Sequence, residues 1–333
     1  MAGVILESVA ANVPDLTRAR AALTRLGFQP RPGAERAKRG VDTALVRFGL
    51  DYLEVRAIAE PERARDSELD GPALVNFVEQ RGGGLAGFAL CSDDLAGMAE
   101  RLDETSLRAF THLRYDGPYT LTRTTPGGQR VSWRMLMPGG VAWRRPWPIL
   151  VEWETPDSER CALEPPDQHP NTATGITRIA LVVASLESAR AIYRDQLGLD
   201  PARIDDVPAL MADRATYHLA GCAIQLLSPR GAESPLEQIL AASGEGPFEL
   251  TIAVSDLDAC QRTLARAGIT LHANPDNPSE IALDASDGLG ARLIFRAAAE
   301  PFAIAQDAGE QDADQGRARG AAQNPEQAPA ARP

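Results

Sequence analysis

The sequence predicts an α+β protein in which four βαβββ modules pair into two tandem domains. One pattern occurs four times, a short apolar strand followed by a small turn and an amphipathic helix, with turn leucines at Leu16, Leu95, Leu186 and Leu257. Short strands of alternating polarity follow each helix, as in DYLEVRAI at residues 51–58. Strands at this spacing are typical of βαβββ units. A single unit leaves one face of its sheet uncovered, so we expect the units to pair.

Helix-capping residues indicate where the predicted helices begin and end. Three N-cap positions hold Asp15, Ser185 and Asp256, whose side chains can accept hydrogen bonds from free helix N–H groups. Three helices are followed by a glycine that suits a left-handed C-cap, at Gly27, Gly198 and Gly268. We therefore expect helices near residues 15–26, 94–104, 186–197 and 257–267.

A polar, proline-rich stretch separates the second module from the third. Residues 155–174 read TPDSERCALEPPDQHPNTAT, which is typical of a linker. We therefore expect a first domain over residues 1–157, a linker over 158–173 and a second domain over 174–300. Residues 306–333 contain no aromatic or large aliphatic side chain, so we expect them to form a disordered tail.

The amino-acid composition indicates which binding partners and which cellular compartment to expect. The 333 residues carry a net charge of −12, which disfavours nucleic acid and anionic membranes as partners. No apolar run approaches the roughly 20 residues of a membrane helix, and the N-terminus lacks the features of a signal peptide. The four cysteines form no CxxC pair, which indicates reduced thiols. We expect a cytoplasmic protein with a small-molecule ligand, and a homodimer stays open.

Strand alternation predicts which side chains face a cavity in the first domain. Glu54 and Arg56 lie opposite the apolar face of their strand, and Glu152 lies in a second apolar strand. Because burying a charge is costly, a mid-strand glutamate indicates a wet or ligand-filled cleft. We expect Glu54 and Glu152 to approach each other across this cleft. A solvent-facing edge strand or a structural Glu54–Arg56 ion pair is the alternative.

All four tryptophans lie within residues 133–153, and the loop between them is rich in Gly, Pro and Arg. Tryptophan and arginine on a loop can bind flat or anionic organic molecules through stacking and charge. We expect such a ligand to contact four residues, Trp143, Arg144, Arg145 and Trp147. The alternative is that the rings fill a core beneath the loop.

The repeated unit, the glutamate in YLEVRAI (52–58) and the runs RPWPILVEWETPD (145–157) and HPNTATGITRIALVV (169–183) resemble one known family. They resemble the glyoxalase-like members of the vicinal oxygen chelate (VOC) superfamily, over residues 4–298. The resemblance implies two tandem glyoxalase-like domains, each with a small-molecule cavity. Members of that superfamily include isomerases, dioxygenases, epimerases, thiol transferases and metal-free drug-sequestering proteins.

The family's metal site takes one residue from the first strand and one from the last strand of each module. By resemblance, these positions hold Ser8, Glu54, Gly87 and Glu152 in the first domain and Arg178, Gln225, Glu249 and Ile294 in the second. Neither set contains a histidine, so the resemblance implies a degenerate metal site. Carboxylates without imidazole suit zinc or iron poorly. We expect no cofactor, with a weakly bound divalent cation at Glu54 and Glu152 as the alternative.

Three functions are compatible with these residues. In an enzyme of the lyase or isomerase type, Glu54 or Glu152 would be the general base and an arginine would stabilise the developing oxyanion. In a binding or sequestering protein, Ser8, Arg56, Arg178, Gln225 and Glu249 would contact the ligand together with the tryptophan–arginine loop. Arg178 and Glu249 could equally form a structural salt bridge. A degenerate scaffold is the third hypothesis.

Overall fold

The computed structural model describes residues 4–33, 40–66, 71–108, 114–125, 127–139, 144–286 and 288–298. The first module comprises β1 (Ile5–Val13), α1 (Leu16–Arg25), β2 (Arg31–Pro32), β3 (Val41–Arg47) and β4 (Tyr52–Ile58). Two connecting helices follow, α2 (Pro61–Arg65) and α3 (Gly71–Arg81). The second module comprises β5 (Gly84–Cys91), α4 (Leu95–Arg108), β6 (Tyr115–Thr124), β7 (Arg130–Pro138) and β8 (Ile149–Trp153).

Helix α5 (Asp157–Leu163) precedes the second half of the chain. The third module comprises β9 (Ala173–Val182), α6 (Leu186–Asp195), β10 (Arg203–Val207), β11 (Ala212–Leu219) and β12 (Cys222–Pro229). Helix α7 (Pro235–Ser243) leads to the fourth module, which comprises β13 (Gly246–Val254), α8 (Leu257–Arg266), β14 (His272–Asn274), β15 (Asn277–Leu283) and β16 (Arg292–Ala297).

The four predicted βαβββ modules are confirmed, and each pair of modules forms one curled eight-stranded sheet. The strand order is β2-β3-β4-β1-β5-β8-β7-β6 in the first sheet and β10-β11-β12-β9-β13-β16-β15-β14 in the second. The modules of a pair join where their first strands run antiparallel, β1 with β5 and β9 with β13. The two sheets therefore repeat one topology, as expected for tandem domains.

The predicted caps form as expected. Asp15 accepts a hydrogen bond from Arg18 N at 3.0 Å, Ser185 accepts from Ser188 N at 3.2 Å, and Asp256 accepts from Ala259 N at 2.8 Å. The three predicted C-terminal glycines all have positive φ, as a left-handed C-cap requires. Helices α1, α6 and α8 therefore begin and end close to the predicted residues, whereas α4 begins as predicted but continues to Arg108, beyond its predicted end near residue 104.

Apolar side chains on one face of each sheet pack beneath these helices. In β1 this face carries Val9, Ala11 and Val13, which share a core cluster with Ala19 and Leu23 of α1. Because alternate residues of a strand point to opposite sides, the other face of each sheet carries the remaining side chains. We call the side of each sheet opposite the module helices α1, α4, α6 and α8 the inner face.

Helices α2, α3, α5 and α7 were not predicted. Helix α5 lies within the stretch interpreted as a linker, so that stretch is not structureless. The proposed domain boundaries stay a prediction, and the expected disordered tail at 306–333 lies outside the described residues. None of the helices in the described parts of the chain is long and apolar enough to cross a membrane.

Candidate functional site

The inner face of the second sheet carries a network of buried charged and polar side chains. Arg178 of β9 donates hydrogen bonds to both carboxylate oxygens of Glu280, at 3.1 and 2.8 Å, and its Nη2 lies 3.9 Å from Glu249 Oε1. Arg292 of β16 donates to Glu249 of β13 at 2.6 Å. Asn274 donates to Glu280 at 2.7 Å and accepts from Arg292 at 3.1 Å. Five strands thus contribute to one network.

The pKa values of the two glutamates in this network are shifted in opposite directions. Burial raises the pKa of Glu249, although the charges of Arg292 and Arg178 oppose the effect. Burial alone would also raise the pKa of Glu280, but the hydrogen bonds and charge of Arg178 outweigh it and the pKa is lowered. Arg178 therefore holds Glu280 in the ionised form, while Glu249 depends mainly on Arg292 for its charge.

A cavity of about 460 Å³ opens beside the network. Asn274 and Arg292 line its polar side. Its apolar walls include Phe77 of α3, Leu236 of α7 and Phe248 of β13. Cavities of this size, with mostly apolar walls and a few polar groups, are typical of small-molecule sites.

Arg144 lines the same cavity and anchors its wall. Its guanidinium donates to the carbonyls of Ser243 at 3.2 Å, Gly246 at 3.1 Å and Pro247 at 2.9 Å, and also to that of Gly244. Burial, with repulsion from Arg81, lowers the pKa of Arg144 to about 10. Arg144 thus ties the loop before β8 to the end of α7 and the start of β13.

The inner face of the first sheet is filled by the chain itself. Arg160 of α5 donates to both carboxylate oxygens of Glu7, at 2.9 and 3.1 Å, and both side chains are 2% exposed. The guanidinium carbon of Arg160 also lies 3.7 Å from the centroid of the Trp153 ring. This cation–π contact and the ion pair occupy the place where we expected an open cleft.

The residues after α5 continue along the same sheet. Glu164 pairs with Arg47 of β3 at 3.1 Å and with Arg123 of β6 at 2.5 Å. His169 accepts from Gln29 N at 3.2 Å, and its Nε2 lies 3.1 Å from the carbonyl of Arg47. Burial lowers the pKa of His169, so the neutral ring accepts at Nδ1 and donates at Nε2. Residues 157–171, which include most of the predicted linker, therefore pack against the first sheet, and we call this segment the strap.

The structure separates Glu54 from Glu152, contrary to the expected approach across a cleft. Glu54 lies on the inner face, where its carboxylate is 3.9 Å from Arg56. Glu152 pairs with Arg134 of β7 and follows Leu150, a member of the helix-side core, by two residues. Strand alternation therefore places Glu152 on the helix side.

The register of the strands explains this separation. Ala10 and Ala89 stand equally far before their turn leucines, so they occupy equivalent positions in modules one and two. Ala10 pairs with Glu54, whereas Ala89 pairs with Ile149. The counterpart of Glu54 is therefore Ile149, and the motif alignment that matched Glu152 to Glu54 was shifted by three residues. Whether either glutamate is catalytic stays a prediction.

The other predicted ligand residues of the first sheet make internal contacts. Arg56 donates to Asn12 at 3.1 Å, and Ser8 is the ladder partner of Tyr52. Arg145 donates to the carbonyl of Pro138. All of these contacts are made to other residues of the protein.

The remaining predicted residues divide between the two halves of the chain. The ring of Trp147 lies 6.1 Å from that of Tyr193 in α6. Gln225 donates to Thr216 at 3.5 Å on the second sheet. Trp143 lies outside the described residues. Of the predicted set, Arg144 lines the large cavity, and Arg178 and Glu249 belong to the network beside it.

Sequence reasoning missed several residues of this site, including Asn274, Glu280 and Arg292. It also missed α7, although Ser234 followed by Pro235 is a helix-start signal, with the serine as N-cap and proline at the first helical position. The polar residues of the fourth module carried no local signal, because only the sheet topology brings β14, β15 and β16 to the side of β13 and β9.

The positions that resemblance assigns to a metal site do not fit a metal ion. In the second domain they include the cationic Arg178, whose guanidinium donates to both carboxylate oxygens of Glu280. They also include Ile294, whose side chain has no atom that can bind a metal ion. In the first domain Glu54 and Glu152 lie on opposite faces of the sheet. Among the residues that the structure describes, no group of three or more His, Cys, Asp or Glu side chains could hold a metal. The expectation that no cofactor is used stays a prediction.

Two curled sheets of paired βαβββ modules, with a cavity at the second, define a glyoxalase-like architecture. Residues 9–197 match the family model of the glyoxalase-like domain. Residues 177–282 match that of the Glyoxalase/Bleomycin resistance protein/Dioxygenase superfamily. Since the first match spans more than half of the chain, the protein belongs to the glyoxalase-like family within the VOC superfamily.

Solved structures share this fold at low sequence identity. A hypothetical protein from Staphylococcus aureus is 13% identical with a TM-score of 0.61, and the match covers 89% of this chain and 100% of that one. A mutant of 4-hydroxymandelate synthase from Streptomyces coelicolor is 18% identical with a TM-score of 0.62, covering 91% and 95% of the two chains. At such identities the likeness concerns the fold alone. No curated protein matches the chain.

Proposed function

We propose that this protein binds a small, mainly apolar molecule in the cavity between α3, α7 and the fourth module. The observation that carries the proposal is the cavity itself, about 460 Å³ in volume, with apolar side chains on its walls and Arg292 and Asn274 at one side. The strap of residues 157–171 packs on the inner face of the first sheet, which favours this cavity over that face as the binding site.

A lyase or isomerase that acts through a cavity carboxylate is the second candidate. The observation that favours it is Glu249, a buried glutamate whose pKa burial raises. A raised pKa suits a general base near neutral pH. However, Glu249 is not among the residues that line the cavity, and it is hydrogen-bonded to Arg292, which is. Binding without turnover is therefore the function that the geometry favours.

A neutral dye tests the binding proposal. N-phenyl-1-naphthylamine fluoresces when it enters an apolar cavity, and we expect saturable binding to the purified protein. Ala242 and Ala241 are neighbouring exposed residues of α7, and Ala242 lines the cavity whereas Ala241 does not. Ala242→Trp places a large ring at the cavity and should weaken dye binding by about tenfold or more, since it removes room for the ligand. Ala241→Trp is the matched control and should bind the dye like the unmodified protein.

Equal loss of binding in both variants would mean that the helix, and not the cavity, was disturbed. Equal retention in both, or no saturable binding by the unmodified protein, would contradict the proposal. Circular dichroism of both variants checks that α7 and the sheets remain folded.

A further inference from the structure

We infer that the cavity selects organic acids, with the apolar body of the ligand against α7 and its carboxylate drawn towards Arg292 and Arg144. This inference rests on the proposed binding function and specifies the chemical class of the ligand. It is carried by the positions and partners of the two guanidinium groups that line the cavity.

Arg292 is held in place for this role by two neighbours. Its Nη1 donates to Glu249 at 2.6 Å and its Nη2 donates to Asn274 at 3.1 Å. A guanidinium has five N–H donors in a planar fork, so these two bonds fix its orientation and leave further donors for a ligand. The side chain is 27% exposed and lines the cavity. Arg292 is thus a pre-oriented donor at the polar side of the cavity.

Arg144 supplies a positive charge whose described partners are all neutral. Its four acceptors are backbone carbonyls, and burial and the charge of Arg81 lower its pKa to about 10. The charged form of Arg144 is therefore disfavoured by its surroundings. An anion in the cavity would offset that cost through the reduced screening of a partly buried site.

Two aspartates also line the cavity and act against an anion. Asp276 is paired with Arg214 at 2.5 Å. Asp284 is 68% exposed and lies 3.4 Å from His272. Exposed or paired carboxylates are screened by water and by their partners, so they weigh less than the buried guanidinium of Arg144. The balance of charges around the cavity therefore favours a ligand carboxylate near Arg144 and Arg292.

A matched pair of probes separates charge from shape. Octanoate and octanamide have the same chain and nearly the same head, but only octanoate is charged. Isothermal titration calorimetry at neutral pH should show octanoate binding about tenfold more tightly than octanamide, because charge-assisted hydrogen bonds are roughly twice as strong as neutral ones.

The variant that tests Arg292 removes its partner as well. Arg292→Gln alone would leave Glu249 buried without its main counter-charge, so the double variant Arg292→Gln/Glu249→Gln is used, which leaves the net charge unchanged. It should lose most of the preference for octanoate while keeping the affinity for octanamide. Arg296→Gln, on the same strand and face but away from the cavity, is the control and should keep the preference.

The outcomes distinguish this inference from the proposed function. If the neutral dye binds but octanamide binds as tightly as octanoate, or neither probe binds, the inference is overturned and the binding proposal stands. If the double variant keeps the full preference for octanoate, Arg292 does not recognise the acid and the inference is overturned. Failure of the dye itself to bind overturns the proposed function first.

Discussion

Replacing Arg160 by methionine tests the charged contact that fills the inner face of the first sheet. Methionine keeps much of the length of the arginine stem but removes the positive charge, so Glu7 stays buried without the Nη2 group that donates to both of its carboxylate oxygens. Glu7 and Arg160 are each 2% exposed. Breaking a buried ion pair by removing one partner costs about 3–5 kcal/mol, and we expect a loss of that size in the free energy of unfolding at neutral pH.

The loss should depend on pH, because burial raises the pKa of Glu7 and Arg160 opposes that rise. When the folded-state pKa of a carboxyl lies above the unfolded value, its contribution to stability is full below the unfolded value and is lost as the pH rises through the folded pKa. Removing Arg160 raises the folded pKa of Glu7 further. The Arg160→Met variant should therefore be more destabilised at about pH 8 than at about pH 5, by up to about 1.4 kcal/mol per pH unit within this window.

Urea unfolding at both pH values measures these free energies. The double variant Glu7→Gln/Arg160→Met removes both charges and should recover much of the loss at pH values near neutrality, since no uncompensated charge remains. A single variant that loses less than about 1 kcal/mol, or whose loss is the same at both pH values, would refute the argument that Arg160 neutralises a buried Glu7.

Two further predictions concern the local signals that the sequence carried. Gly27→Ala should cost more than about 2 kcal/mol of unfolding free energy, because its φ is +80° and a new Cβ would meet the Asn171 side chain at 2.8 Å and Thr263 at 2.9 Å. The control is Gly268→Ala, at φ +69° with open space around it, which should cost only about 1 kcal/mol. Thermal unfolding compares the two variants, and equal costs would contradict the steric argument. Asp256→Ala should cost about 1 kcal/mol in urea unfolding by removing the cap of α8, and an unchanged midpoint would show that the cap contributes nothing.

Local features of the fold were predictable because their signals lie within a few residues. The N-cap residues Asp15, Ser185 and Asp256 and the glycines after α1, α6 and α8 mark the module helices, and alternation marks the strands. The repeated order of these elements was enough to indicate paired βαβββ units. Helix α7 carried a similar local signal at Ser234 and was overlooked.

The candidate site was harder to predict because it depends on register and long-range packing. Nothing local indicates that Ile149, and not Glu152, is the counterpart of Glu54, since this follows from the pairing of β5 with β8. The contact between Glu7 and Arg160 joins residues that are far apart in the chain. Polar composition indicated a linker at residues 158–173, but charged residues of this stretch form buried ion pairs. Composition alone cannot distinguish a charged side chain in a buried ion pair from one that is exposed to solvent.

The most direct test of the whole account is where a ligand binds. A crystal of the protein grown with 8-bromooctanoate, measured for bromine anomalous scattering, would locate the apolar end of the acid. We expect one bromine site in the cavity between α3, α7 and the fourth module, near Leu236 and Phe248, with the carboxylate towards Arg292. A bromine site on the inner face of the first sheet, with Arg160 displaced from Glu7, would contradict it.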